Sequence, residues 1–321
     1  MKNFEELSKE FIGRFDRTHF PSQPASLYDP ASYFLTLGGK RIRPVLCLMG
    51  NELFDEISPQ CWDAAIALEL FHNFTLIHDD IMDKAPLRRG MPTLHARFGD
   101  SNALLAGDVT LVVAYDYLNR IQSNHIHRII QLFNKTAKEV CEGQQLDMDY
   151  EKANEVSIGD YLRMIELKTS VLLASSLMIG AVLGGAGGGN QLHIGEFGRN
   201  LGLAFQIQDD YLDAFGDPAK VGKQIGGDIV ANKKTFLFVR AMELASKEQK
   251  EEMDTLVREN PPDKVARMIA IFRSFGVDKE AKSLMAQCLS KADQHLEDIA
   301  VLSNRKEPLR QIAGYLMQRE Y

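Results

Sequence analysis

The sequence predicts an all-α protein, a single large helical bundle spanning residues 1–321. Three observations carry that expectation. Apolar residues recur at helical spacing along nearly the whole chain. No run alternates with period two for long enough to support a sheet. The interruptions are short turns rather than linkers.

The elements follow in order. Glu5, Leu7, Phe11 and Phe15 open a polar-to-apolar helical pattern. Pro59–Asp83 reads as one long helix, apolar nearly all round and ending in carboxylates. Ser101–Gln122, Ile126–Asp149, Ile158–Leu183 and Gln191–Phe215 continue the same way. Helices this apolar on every side belong at the centre of a fold. Lys234–Leu244, Lys247–Glu259, Asp263–Phe275, Asp278–Ala300 and Glu307–Gln318 are more charged and amphipathic, which predicts an outer layer. Turns are expected at Gly38-Gly39, Ala85-Pro86, Gly90-Met91-Pro92, Gly184–Gly189, Gly216-Asp217-Pro218 and Pro261-Pro262. None is long enough to separate domains, so one domain is favoured over the two that 321 residues would allow. No repeat of 34 or 40 residues is present, which argues against a helical solenoid.

Composition narrows the class. Hydrophobic residues make up 45% and charged residues 25%, which excludes disordered and collagen-like chains. The net charge of −7 speaks against nucleic acid or anionic lipid as the main partner. Cys47, Cys61, Cys141 and Cys288 are widely spaced with no CxxC pair. Neither a disulfide framework nor a zinc site is expected, and reduced thiols point to the cytoplasm. The start, MKNFEELSKEF, lacks the apolar core of a signal peptide. Val171–Leu183 is apolar for 13 residues, short of the roughly 20 needed to span a bilayer, so it reads as a buried core helix.

Two helices end in the same acidic pattern, Asp79-Asp80-Ile81-Met82-Asp83 and Asp209-Asp210-Tyr211-Leu212-Asp213. Positions i and i+4 share a helix face, so Asp79 converges with Asp83 and Asp209 with Asp213. Such carboxylates repel unless a cation compensates. An oxygen-only carboxylate set suits Mg²⁺, which binds through a few carboxylates and substrate phosphates. Basic residues near the motifs supply the ligand class: Arg88-Arg89-Gly90, Gly38-Gly39-Lys40-Arg41-Ile42-Arg43-Pro44, Lys168-Thr169, Lys223 and Lys233-Lys234. Arginine forks, lysine point charges and glycines that admit close approach make a clamp for diphosphate. The clamp cations and motif aspartates leave the site near neutral, so the −7 belongs to the rest of the chain. Gly184–Gly189 lacks a P-loop ending and reads as a turn. Arg319, near the C-terminus, reads as part of a solvated tail.

With these motifs in order, the sequence resembles the trans-type isoprenyl diphosphate synthases, the polyprenyl synthetase family. The matching stretches run from GGKRIRP at Gly38 through DDIMDKAPLRRG, Lys168-Thr169 and FQIQDDYLD to GKQIGGDIVANKKT, ending at Thr235. The resemblance implies a helical bundle around a central apolar cavity. It implies an enzyme that condenses isopentenyl diphosphate with a C5–C15 allylic diphosphate by ionisation, condensation and elimination. About three Mg²⁺ would be ligated by Asp79, Asp83 and Asp209, with Asp80, Asp210 and Asp213 supporting or ligating the same ions. Arg88, Lys168, Gln206, Lys223 and Lys233 would hold the allylic diphosphate, with Thr169 lining the same site. Lys40, Arg43 and Arg89 would clamp isopentenyl diphosphate, Gly39 giving backbone access and His72 standing where the family often has Gln or His. Phe74 and Thr75, five and four residues before Asp79, occupy the places that form the floor of the tail pocket. One aromatic with a small neighbour resembles C15–C20 synthases, with C20 preferred. A homodimer is implied, with Ser101–Gln122 and Ile126–Asp149 available for the interface.

The chemistry needs no Ser/His/Asp arrangement, because ionisation is driven by charge on the leaving diphosphate, and the cation must be kept from water. Terpene cyclases share the helical fold, but they usually replace the second motif and need no second clamp. A non-catalytic partner subunit would usually lose motif aspartates, and all six are present. A plain helical scaffold would leave both motifs unexplained.

Overall fold

The structure is a computed structural model describing residues 1–15, 18–216 and 225–317. Helix dominates, and among the described residues the only strands are β1 (Leu87–Arg88) and β2 (Met91–Pro92). The chain falls into two compact units, each assembled from separated stretches. Unit 1 is Met1–Asn134, Ser175–Ile194 and Ala300–Pro308. Unit 2 is Lys135–Ala174, Gly195–Ile299 and Leu309–Tyr321.

Unit 1 contains α1 (Phe4–Arg14), α2 (Ala25–Thr36), α3 (Ile42–Glu52), α4 (Pro59–Met82), the β1–β2 ribbon, α5 (Leu94–Phe98) and α6 (Asp100–Asn119). Helix α4 starts where the Ser58 hydroxyl accepts the Cys61 N–H at 3.2 Å. Pro59 follows at a position whose missing N–H costs nothing. Every residue from Ala64 to Phe71 is buried, as its all-round apolar pattern requires. Its main neighbours are α6 and α3. Gly107 of α6 lies so close to the His78 ring that a Cβ there would overlap it unless the ring moved.

Unit 1 departs from the sequence expectation at α2, at α5 and at the turns that precede α5. Helix α2 escaped the periodicity, because Pro30 sits inside it. The turns expected around Pro86 and Gly90 form an antiparallel hairpin, pairing Leu87 with Pro92 and Arg88 with Met91. Its tight turn is Arg89-Gly90, with φ of 53° and 76°. Two left-handed residues match the twist of paired strands, and the strands are too short to show alternation.

Unit 2 holds most of α7 (Ile126–Lys152), α8 (Ile158–Ile165), a π-helical turn (Glu166–Ser170), the start of α9 (Val171–Leu183) and most of α10 (Gly188–Phe215). After these come α11 (Gly227–Val230), α12 (Phe236–Leu244), α13 (Lys247–Glu259), α14 (Lys264–Phe275) and α15 (Val277–Glu297). Helix α16 (Ser303–Met317) ends the described chain. Tyr161, Phe236, Met253, Leu256 and Phe272 belong to the core of this unit. Helix α13 buries only Met253 and Leu256, the behaviour expected of an amphipathic outer helix. The helix expected without a break over 158–183 is interrupted by the π turn. Gly143 of α7 backs directly onto the Lys168 backbone there, and a Cβ on Gly202 of α10 would come within 2.5 Å of Ser170 Cα. Ile158–Leu183 is long and apolar enough to cross a bilayer, but 83% of its most apolar window is buried, as a core helix requires.

Candidate active site

In unit 1 the first motif closes α4. The Asp83 N–H bonds to the Asp79 carbonyl at 2.8 Å, so the helix carries the motif to its last turn. Asp80 is buried, and Arg88 from β1 forks onto it. Arg88 Nε lies 2.9 and 2.8 Å from the two carboxylate oxygens, and Nη2 lies 2.8 Å from Oδ1. Nη2 also lies 3.6 Å from Asp79. Burial raises the Asp80 carboxyl, and Arg88 opposes that rise. Asp83 stands exposed at the helix end.

The GGKRIRP stretch forms the α2–α3 loop and the start of α3. Arg43 Nη1 meets His72 Nε2 of α4 at 3.0 Å. Burial first, and then the guanidiniums of Arg43, Arg89, Arg88 and Arg41, push the His72 pKa well below its usual value. The ring is therefore neutral, and its Nε2 accepts from Arg43. Arg89 donates to the Gly38 carbonyl. Gly39 has φ 137°, a backbone conformation that favours glycine, and a Cβ there would lie 2.9 Å from Arg89 Nη1, so the guanidinium would have to shift. Lys40 is exposed beside them. Unit 1 thus gathers Gly39, Lys40, Arg43, His72 and Arg89 around one loop. Phe74 packs its ring 4.6 Å from His78 and 5.8 Å from Phe71. The Thr75 hydroxyl donates to the His72 carbonyl at 2.8 Å.

In unit 2 the second motif lies in the last turns of α10. Asp210 is buried and accepts from the Tyr161 hydroxyl at 2.6 Å, the Phe236 N–H at 3.0 Å and Gln206 Nε2 at 3.2 Å. Burial lifts its pKa to about 6, and those three donors hold it back. Asp213 accepts the Asp228 N–H at 3.0 Å, while Asp209 is exposed. Lys168, in the π turn, donates to Asp147 of α7 at 2.6 Å. The Thr169 hydroxyl donates to Gln206 at 3.0 Å. Asp209, Asp210, Lys168, Thr169, Gln206, Lys233, Asp147 and Asp228 line one cavity of about 130 Å³. Burial, then Asp210 and Asp213, raise Asp228 to about 7. A cavity edged by mutually repelling carboxylates, with oxygen donors from Thr169 and Gln206 beside them, fits a hard divalent cation. Lys223 and Arg319 lie outside the described residues.

Sequence reasoning did not single out Tyr161 or Asp147 and gave no role to Asp228. A lone tyrosine on an apolar helix reads as core filling, and Asp147 sits among other polar residues of α7. Asp228 between Lys223 and Lys233 was the one legible signal.

Fold and site together define an all-helical protein with two aspartate-ended helices set among basic and hydroxyl side chains. The chain belongs to the polyprenyl synthetase family, whose model matches residues 24–274. It is 35% identical to the short chain isoprenyl diphosphate synthase of Methanothermobacter thermautotrophicus, covering 100% of this chain and 98% of that one. It is also 35% identical to the geranylgeranyl diphosphate synthase of Methanosarcina mazei, over 94% and 92% of the two chains. The crystal structure of geranylgeranyl pyrophosphate synthetase from Pyrococcus horikoshii superposes with a TM-score of 0.91 at 30% identity, over 98% of each chain. Members of this family are prenyltransferases that act on isoprenyl diphosphates and depend on divalent metal.

Proposed function

We propose that this chain is a Mg²⁺-dependent short-chain trans-prenyl diphosphate synthase. It joins isopentenyl diphosphate to a C5–C15 allylic diphosphate and makes a C20 product. One observation carries the reading: both motifs divide their labour alike. The second aspartate of each, Asp80 or Asp210, is buried and bonded by the protein, while the first, Asp79 or Asp209, is less buried. Asp79, Asp83 and Asp209 would therefore hold about three Mg²⁺, and Asp80, Asp210 and Asp213 would brace them. When bound, the metal stabilises negative charge on the departing diphosphate.

The chain's own residues do the rest. Arg88, Lys168, Gln206, Lys223 and Lys233 bind and orient the allylic diphosphate, with Thr169 beside it. Lys40, Arg43 and Arg89 take isopentenyl diphosphate at a glycine-opened loop, and neutral His72 steadies Arg43. Both units serve one catalytic domain, residues 1–321, because each carries half of the motif set. Phe74 closes the tail pocket with Thr75 beside it, so Phe74→Ala lengthens the product; unchanged chromatography would remove Phe74 from that role. The chain acts in the cytoplasm as a homodimer, and the exposed apolar stripe Leu105, Val112 and Tyr115 on α6, with Leu104 beside it, supports the dimer.

The test is incubation with isopentenyl diphosphate, Mg²⁺ and C5, C10 and C15 allylic diphosphates in turn. Condensation ending at C20 is expected. No condensation with any partner would overturn the reading.

A further inference from the structure

Arg41 is the one cation of GGKRIRP with no ligand role, and it is also the most deeply buried of them, 8% exposed. It caps the start of α3 with φ 52° and ψ 36°, a left-handed conformation that residues other than glycine hold only when their surroundings impose it. The Arg41 guanidinium is ion-paired with Glu69 of α4 and donates to the Leu35 carbonyl at 3.3 Å. It also lies 4.9 Å over the Phe15 ring. Glu69 is itself only 3% exposed. Its Oε1 accepts from Asn73 Nδ2 at 3.2 Å, and the same amide nitrogen reaches the Glu69 carbonyl at 2.6 Å. The carboxylate is thus tied to its own helix while it grips Arg41.

Three residues further along α4, on the same face, His72 meets Arg43. The loop is therefore held to α4 at two points. One is a buried ion pair at Arg41, the other a neutral-ring contact at Arg43. Arg89 ties the loop at a third point, through the Gly38 carbonyl. A buried ion pair is a poor device for stability, because desolvation offsets most of its attraction. It is a good device for geometry, because the planar guanidinium fork accepts few arrangements.

We propose that Arg41 and Glu69, steadied by Asn73, are a positioning pair for isopentenyl diphosphate. Their ion pair holds the left-handed turn that sets Lys40 on one side of Arg41 and Arg43 on the other. Arg41 touches no substrate and acts through those two cations. The inference rests on the reading of Lys40, Arg43 and Arg89 as the isopentenyl diphosphate clamp.

The test compares wild type, Glu69→Gln and the double variant Arg41→Met/Glu69→Leu. Each substrate is varied with the other saturating, and melting is followed in parallel. In Glu69→Gln the KM for isopentenyl diphosphate rises on the order of tenfold, while the KM for the allylic substrate stays within about twofold. The double variant replaces the pair by apolar groups and melts close to wild type, yet it keeps the raised isopentenyl diphosphate KM. A double variant that regains both melting and KM would overturn the proposal, as would equal rises in both KM values. Should Glu69→Gln fail to fold, the double variant decides alone. Should wild type condense nothing, the functional reading falls. Calorimetric binding of isopentenyl diphosphate to wild type and to the double variant then decides the inference separately, equal affinities overturning it.

Discussion

The ends of α4 and α10 carry the same Asp-Asp-x-x-Asp pattern but balance it by different means. At the end of α4 a guanidinium both bonds and neutralises Asp80. In the last turns of α10 a phenol, a backbone amide and a side-chain amide bond Asp210 without cancelling its charge. Burial lifts Asp210 to about 6 against those donors, and burial with the neighbouring Asp210 and Asp213 charges lifts Asp228 to about 7. Identical spacing in the sequence sets where the carboxylates stand. The partners that arrive from β1, α8 and the start of α12 set their charge. The α4 end has its own counter-charge, and the α10 end carries an excess that a divalent cation would balance.

The contrast can be broken first at the buried aspartates. Asp80→Ala leaves Arg88 without its main partner. Unfolding free energy should fall by about 2–3 kcal/mol, below the full cost of a buried pair because Arg88 is partly exposed. Asp210→Asn keeps an oxygen that can accept from Tyr161 and Phe236, so it should shift stability by less than about 1 kcal/mol. Equilibrium denaturation of the metal-free proteins decides, and a larger loss in Asp210→Asn would reverse the account.

A smaller effect sharpens the same point. Asp228→Asn removes one of the crowded charges in unit 2. The metal-free variant should gain about 1 kcal/mol, a rise of about 1–2 °C in melting temperature, and its further rise on adding Mg²⁺ should shrink. Calorimetry with chelator and then with Mg²⁺ measures both. A variant less stable than wild type without metal would contradict the charge excess.

A pH-dependent effect is expected at His72. Its folded pKa is held well below the value of about 6.5 that it has when unfolded. The unfolded chain therefore binds the extra proton as pH falls. The stability this group contributes is present above about 6.5 and is lost below it. Between pH 7 and pH 5 wild type should lose up to about 2 kcal/mol more than His72→Gln. Parallel urea curves with equal losses would show a charged or solvated ring.

Much of this was readable in the chain, and what was hidden depended on distant residues. Helix α13 falls at its expected bounds, because Ser246 and Gln249 form a capping box and Asn260 ends the helix in the left-handed conformation. The π turn could not be read from residues 166–170, because what packs on it is Gly143 on one helix and Gly202 on another. At the site, the motif residues announce themselves by spacing and charge. Tyr161, Asp147 and the Arg41–Glu69 pair do not, because each acquires its meaning from a partner at least 20 residues away.

The central claim is that both aspartate motifs serve one metal-dependent prenyl transfer. The most direct measurement is prenyl diphosphate formation by wild type, Asp79→Ala and Asp209→Ala, each with Mg²⁺ and with chelator. Wild type with Mg²⁺ should extend the allylic substrate to C20, and chelator should abolish the product. Each variant should fall by roughly a hundredfold or more. Undiminished product from either variant, or from wild type with chelator, would contradict it.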